Sequence, residues 1–241
     1  MNTTPHQSVA ILIIGNEVLS GRTREANAWF AAQTLFTVGC KLSEVVIVPD
    51  IQQAIIDTLK RLRQHYDAVI TSGGIGPTHD DITMQSVANC FEVPLLEHAQ
   101  TIQVMAQFYG QDALTKSRRR MARLPDGAQP IICKQSICPG AHIHNVYVLA
   151  GVPHIFASQL ESVLGHFKGQ AFLRQEIEVA LPESSFAAAL DEIQRNNPDV
   201  EIGSYPGHCG DKPTGNVCIS VVDKTKITHV KEQIEHMLKD K

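Results

Sequence analysis

The chain has 241 residues, 43% hydrophobic and 19% charged, which suffices for a sizeable core and excludes a disulfide-stapled mini-protein or an intrinsically disordered chain. Its 21 Lys+Arg and 25 Asp+Glu give a net charge of −4, so duplex nucleic acid and anionic lipid meet no overall attraction. No run approaches the roughly 18 apolar residues of a membrane-spanning helix, and the polar start Met1 to Gln7 has no signal- or transit-peptide pattern, so a cytoplasmic protein is expected.

Ser8 to Ile14 is an unbroken apolar run ending at Gly15, which predicts a strand covered on both faces, as in a parallel sheet. Thr23 to Val38 predicts a helix with Ala26, Trp29, Phe30 and Gln33 on one face and Gly39 as its stop. Leu42 to Val48 reads as a second strand. Asp50 with Gln53 resembles a capping box opening a helix whose stripe is Ile51, Ala54, Ile55, Leu59 and Leu62. Ala68 to Thr71 is a short buried strand, followed by Ser72-Gly73-Gly74-Ile75-Gly76-Pro77-Thr78-His79-Asp80-Asp81 and a helix from Ile82 to Phe91.

Further helices are predicted over Gln100 to Tyr109 and Leu114 to Leu124, then a turn Leu124-Pro125-Asp126-Gly127, strands near Ile131 and Tyr147, and a helix from Pro153 to His166. The alternation of strands and helices predicts right-handed βαβ units, an α/β domain with a mostly parallel sheet. Lys168-Gly169-Gln170 marks a boundary, giving domains 1–170 and 171–241. The second is read as a small α+β unit in β-α-β-β-α order: a strand Gln175 to Ala180, a helix Ser184 to Asn196, a hairpin of Glu201 to Tyr205 with Asn216 to Val222, and a helix Thr225 to Leu238. Residues 1–170 carry 13 basic and 13 acidic side chains and residues 171–241 carry 8 and 12, so the acidic surplus lies in the second unit.

In an open parallel sheet, ligands bind outside the carboxyl ends of the strands. Three loops leave such ends here: Gly15 to Gly21, Pro49-Asp50, and Ser72 to Asp81. Glycines at 73, 74 and 76 permit positive φ and leave room for successive N–H groups to converge on an oxyanion, and the next helix adds its own unpaired N–H groups. A phosphate or pyrophosphate is the natural guest, although neither the GxGxxG nor the Gly-Lys-Ser/Thr fingerprint is present. A tight turn needing glycine for geometry alone is the alternative. Asp80 and Asp81 stand where a carboxylate would cap the following helix, or where a divalent metal would bridge carboxylate and phosphate. Asp50 is open to the same two readings.

Lys116, Arg118, Arg119, Arg120 and Arg123 read as a solvated helical face, of which any phosphate contact would use a subset. Gly207-His208-Cys209-Gly210 has a GxxG form and reads as a hairpin turn. The six cysteines contain no CxxC and are expected as reduced thiols, and Cys133, Cys138, His142 and His144 match no standard zinc spacing.

Val9 to Glu17 with Leu19 to Gly21 and Asn27, then Pro49-Asp50, then Gly73 to Thr83, resemble the molybdopterin-binding domain family. The likeness is nearest to its CinA N-terminal type and to the molybdopterin-binding-like domain of FAD synthases. Cys138-Pro139-Gly140 and Val148-Leu149-Ala150-Gly151-Val152-Pro153 fit the same pattern, so the likeness spans about residues 8 to 167. It implies a three-layer α/β domain whose glycine loop holds the phosphate end of molybdopterin or a nucleotide. It implies aspartates at Asp50 and Asp81, with Asp80, as catalytic groups, and Asp50 and Asp81 as ligands to Mg²⁺ or a similar divalent ion, with K⁺ as a further candidate. Ligand contacts are expected from Gly15, Glu17, Ser20, Gly21, Asn27, Ser72, Gly73, Gly74, Gly76, Pro77, Thr78, His79, Thr83, Pro139, Gly140 and Gly151. The CinA and FAD-synthase types are associated with metal-dependent cleavage of ADP-ribose or FAD at the pyrophosphate, and a molybdopterin-binding role without hydrolysis is the alternative. A homo-oligomer, dimer or trimer, is implied as well. The chain departs from the pattern at His79, where Lys is common, and at Asn16, Ala141 and His154.

Overall fold

A computed structural model describes residues 6–169, 172–209 and 212–239, with side chains outside 207–213. The chain divides into two compact units, Met1–Gly169 and Gln170–Lys241.

The first unit runs β1 (Ser8–Ile14), α1 (Asn16–Leu19), α2 (Asn27–Thr37), β2 (Lys41–Val48), α3 (Gln52–His65), β3 (Ala68–Ser72), α4 (Thr83–Cys90), β4 (Leu95–Glu97), α5 (Ala99–Tyr109), α6 (Lys116–Arg120), β5 (Arg123–Pro125), β6 (Gln129–Cys133), β7 (Ser136–Ile143), β8 (Val146–Leu149) and α7 (Pro153–Val163). Six strands form one sheet in the order β2-β1-β3-β8-β7-β6, parallel from β2 to β8 and antiparallel beyond it. Successive residues of β1 point to opposite faces. Val9, Ile11 and Ile13 meet Leu35 of α2 and Phe156 and Leu160 of α7, whereas Ala10, Leu12 and Ile14 meet Ile55, Leu59 and Leu62 of α3 and Val87 of α4. Burying both faces accounts for the unbroken apolar run, and each fully buried Leu, Ile or Phe contributes roughly 1.5–3 kcal/mol. The result is the three-layer α/β domain expected.

Several expectations are corrected. The helix predicted from Thr23 starts at Asn27, and its buried face is Asn27, Ala28, Ala31 and Leu35, with Trp29 65% exposed. Of the predicted stripe, Phe30 packs partly against the core, whereas Trp29 turns to solvent. The helix predicted over Leu114 to Leu124 is a single turn, α6, after which Arg123–Pro125 pairs antiparallel with Leu95–Glu97 as a separate ribbon. Leu124 is buried in the α3–α4 layer, which draws the chain out of helical course. β7 was not expected, since Pro and Gly weaken a strand pattern. It forms because Pro139 lies at the register irregularity opposite β6 and beyond the β8 ladder, which starts at Ala141.

The second unit is β9 (Leu173–Val179), α8 (Ala187–Asn196), β10 (Glu201–Cys209), β11 (Lys212–Val221) and α9 (Lys224–Lys239), with an antiparallel sheet in the order β10-β11-β9. Val179, Val217 and Ile219 bury one sheet face against Phe186, Leu190, Ile227, Val230 and Ile234. The strand register carries the β10–β11 pairing to Cys209 and Lys212, so the GxxG segment stands at this hairpin, and its Gly210 lies outside the described residues. Among the described residues no helix is long and apolar enough to cross a membrane.

At the amino-terminal ends of the main sheet, the buried Tyr147 hydroxyl lies 3.0 Å from His6 Nε2 and 3.0 Å from His166 Nδ1, and His142 stacks on its ring at 4.3 Å. Burial holds the His6 and His142 imidazoles below the usual histidine range; Asp67 opposes this for His6, while His166 reinforces it for both. A depressed histidine keeps its full stabilising effect above the unfolded value of about 6.5 and loses it as pH falls towards the folded value. The urea midpoint of the protein is therefore expected to fall between pH 7.5 and pH 5.5, and in a His6→Gln/His142→Gln variant the slope should flatten. An unchanged slope would refute the assignment.

Candidate functional site

Four loops leave the carboxyl ends of adjacent strands and are stitched together by main chain. The Gly15 amide donates to the Val48 carbonyl at 3.2 Å, and the Gly73 amide donates to the Leu149 carbonyl at 3.3 Å. Asp50 accepts from the Asn16 amide at 2.8 Å and so ties the loop after β2 to the loop after β1. It caps nothing: α3 has Ile51 at its N-cap and no side-chain cap bond. Between β1 and β3 the connections turn to opposite sides, the switch point at which such sheets bind ligands.

Gly73 and Gly74 have φ of +104° and +67°, a region that disfavours any side chain. Their environment excludes one too. A Cβ on Gly73 would lie 2.3 Å from the Ile14 carbonyl, one on Gly74 2.2 Å from Thr83 Oγ1, and one on Gly76 2.7 Å from the Asp81 carboxylate. Thr83 is buried, and its hydroxyl donates to the Gly73 carbonyl at 2.8 Å while its amide donates to the Gly74 carbonyl at 2.9 Å. These two bonds lash the start of α4 to the loop. The cap role expected of Asp80 and Asp81 is not taken up, since the N-cap is Ile82 without a side-chain bond. Asp81 Oδ2 instead accepts from the Thr78 amide at 2.8 Å and from the Thr78 hydroxyl, closing the loop on itself. The Thr78 hydroxyl, and after it Asp80's own amide, hold the Asp80 carboxyl below the ordinary carboxylate range.

A cavity of about 180 Å³ opens beside this loop, lined by Gly74, Ile75, Gly76 and Asp81, by Met84 and Gln85 of the first turn of α4, and by Arg120 and Arg123. The amides of Gly74, Ile75 and Gly76 make no hydrogen bond among the described residues. Three consecutive N–H groups without an acceptor thus run on from the positive-φ backbone of Gly73 and Gly74, a local arrangement compatible with an anion nest. This corrects the expectation for Gly73, whose amide belongs to the sheet. The sequence reading allowed a subset of the run 116–123 to contact phosphate, and the structure brings Arg120 and Arg123 to the cavity. The ribbon of β4 and β5 carries Arg123 back to the loop.

The other expected residues lie outside this cavity. Asn27 is buried, its amide donating to Ser72 Oγ and to the Gly151 carbonyl at 2.8 Å each, so Asn27 and Ser72 seal the seam between β3 and α2 instead of facing solvent. Gly151 packs against Gly73, where a Cβ would lie 3.1 Å from the Gly73 Cα. Pro139 and Gly140 are buried in β7, where Gly140 leaves no room for a Cβ beside the Val148 carbonyl at 2.4 Å. Glu17 folds over Gly15, 2.7 Å from where its Cβ would stand; Ser20, Gly21, Pro77 and Thr78 are exposed. His79 is 98% exposed, with Nδ1 4.0 Å from Asp80 Oδ1.

For a metal, the donor set is sparse. Among the described residues no group of three or more His, Cys, Asp or Glu could hold an ion, and Asp50 does not line the cavity that Asp81 lines. Mg²⁺ needs no such cage, since one or two carboxylates plus substrate phosphate and water complete its shell. Asp81 Oδ1, which makes no hydrogen bond among the described residues, fits that demand.

The family "Probable molybdopterin binding domain" matches residues 10–169, and "FAD synthase, middle domain" matches residues 171–241. A protein of Archaeoglobus fulgidus is 30% identical over 96% of this chain and 98% of its own length. A CinA-like protein of Myxococcus xanthus is 32% identical over 81% of this chain, which spans only 50% of that relative. The crystal structure of the protein CinA from Thermoplasma acidophilum superposes with a TM-score of 0.62 at 29% identity, covering 66% of this chain and 96% of that one. With its glycine loop at the switch point and a family match over most of its length, the chain belongs to the molybdopterin-binding domain family and has CinA-like relatives.

Proposed function

We propose that the first unit binds a phosphorylated pterin or nucleotide through the amides of Gly74, Ile75 and Gly76, and that it hydrolyses a dinucleotide of the FAD or ADP-ribose class at its pyrophosphate. The observation that carries this reading is a run of three unpaired amides in residues that line one cavity together with Asp81. A carboxylate beside a phosphoryl group held in that loop is repelled by it unless a cation stands between them. Asp81, with Asp50 or Asp80 as a second carboxylate, would hold a divalent ion by its unbonded oxygen. Such an ion, when bound, neutralises charge developing on the phosphoryl oxygens and lowers the pKa of a bound water. The loop amides orient the phosphoryl group, and the Thr78 bonds hold Asp81 in place for that task. Incubation with ADP-ribose or FAD in Mg²⁺, Mn²⁺ or Co²⁺ is expected to release AMP, read by chromatography. No nucleotide product with any of these ions would overturn hydrolysis.

A second reading, binding without hydrolysis, draws support from the sparse acidic donor set and from the exposed imidazole of His79 where related motifs carry lysine. It predicts micromolar binding of molybdopterin in calorimetry alongside intact dinucleotides.

A further inference from the structure

We infer that Arg120 and Arg123 form a second anion subsite next to the glycine loop, so that the site takes two linked phosphoryl groups and not one. The inference rests on the reading of the loop as a phosphate cradle and adds to it the side chains that take the second phosphoryl group.

The five cations of residues 116–123 have separate employments. Arg119 is committed to both oxygens of Glu97, at 2.6 and 3.0 Å. Arg118 lies over the Tyr109 ring at 4.3 Å and donates to the Ala113 carbonyl at 2.7 Å. Arg120 and Arg123 make no salt bridge or hydrogen bond to a carboxylate among the described residues, although Arg120 acts on Asp80 and Arg123 on Glu97 through space. Each makes one long hydrogen bond to a main-chain carbonyl, Arg120 to Asp81 at 3.4 Å and Arg123 to Leu95 at 3.3 Å. Those bonds aim both guanidinium groups without neutralising them, and each keeps further N–H donors in its planar fork. Both line the cavity with Gly74 and Gly76, and both also line an adjoining hollow of about 700 Å³ with Leu95, Leu96, Lys116 and the Glu97–Arg119 ion pair. The two spaces therefore share a wall that includes two arginines without a direct ion pair.

A guanidinium matches a phosphoryl group with two parallel charge-assisted bonds, which a main-chain amide cannot supply. One phosphoryl group in the amide nest leaves both arginines uncompensated. A second, linked through a bridging oxygen, falls between them, and whatever it carries continues into the hollow towards Lys116. The chemistry recognised is thus a diphosphate whose far side bears a further substituent.

Calorimetry on the whole chain in EDTA, with inorganic phosphate and inorganic pyrophosphate as probes, tests this. The native chain is expected to bind pyrophosphate at least tenfold more tightly than phosphate. An Arg120→Gln/Arg123→Gln variant should lose that preference while keeping its phosphate affinity within about twofold. Arg119→Gln, which removes the same charge from a side chain already held by Glu97, should keep the preference. If the native chain binds phosphate with no preference for pyrophosphate, or if the double variant keeps the preference, the second subsite falls and the loop reading stands. If it binds neither anion in EDTA and again with Mg²⁺ restored, both fall.

Discussion

Replacing Gly73 with alanine is expected to destabilise the first unit by roughly 2–6 kcal/mol, the sum of a strained left-handed backbone and of forcing a methyl group into filled space. The position combines φ of +104° with a Cβ site 2.3 Å from the Ile14 carbonyl, an atom that can retreat only by moving β1. For a chain of this size the melting temperature should fall by on the order of 10 °C or more. Gly21→Ala is the control, because Gly21 has φ of +71° but nothing within 4 Å of its Cβ site. It should cost only the backbone strain, about 1 kcal/mol. Differential scanning calorimetry separates the two, and a Gly73→Ala protein melting within about 2 °C of the parent would show that the seam between β1, β3 and β8 is looser than the geometry requires.

The second large effect concerns chemistry. Asp81→Asn should lower release of AMP from ADP-ribose or FAD by at least 100-fold, on the order expected when a metal-holding carboxylate loses its charge. Asparagine keeps one oxygen to accept the two Thr78 bonds, so the loop should retain its shape and the melting temperature should stay within a few degrees. That combination distinguishes a chemical role from a structural one. Undiminished turnover would remove Asp81 from the reaction, and a collapsed melting temperature would assign it to the loop's architecture.

The parts of this fold most legible in the sequence are those with strong periodicity or composition. Ser8 to Ile14 reads correctly because a strand covered on both faces must be apolar at every position. The Gly73-Gly74 pair reads correctly as a special backbone because little else tolerates such φ values. For Asp50, Asp80 and Asp81 a helix cap is one of two open readings because sequence proximity to a helix start is visible, whereas the Asn16 amide that engages Asp50 is 34 positions away. Asn27 illustrates the opposite confusion: a family-matching polar residue near a presumed crevice looks like a ligand contact, and burial beneath Gly151 makes it a seam. Which members of the run 116–123 reach the cavity is hidden in the sequence, because a ribbon three residues wide on each strand, too short to show any period, decides where they point.

That small ribbon has a wider meaning. Its strands hydrogen-bond only to each other, outside the six-stranded sheet, while Leu124 anchors them in the α3–α4 layer, so changes confined to the exposed part of the α5–α6 segment leave the layers that hold the glycine loop in place. Lengthening or shortening that segment would swing a pair of positive charges towards or away from a fixed row of amides. Selectivity among charged metabolites can therefore drift in this architecture by way of an appendage, while the six-stranded sheet remains under separate constraint.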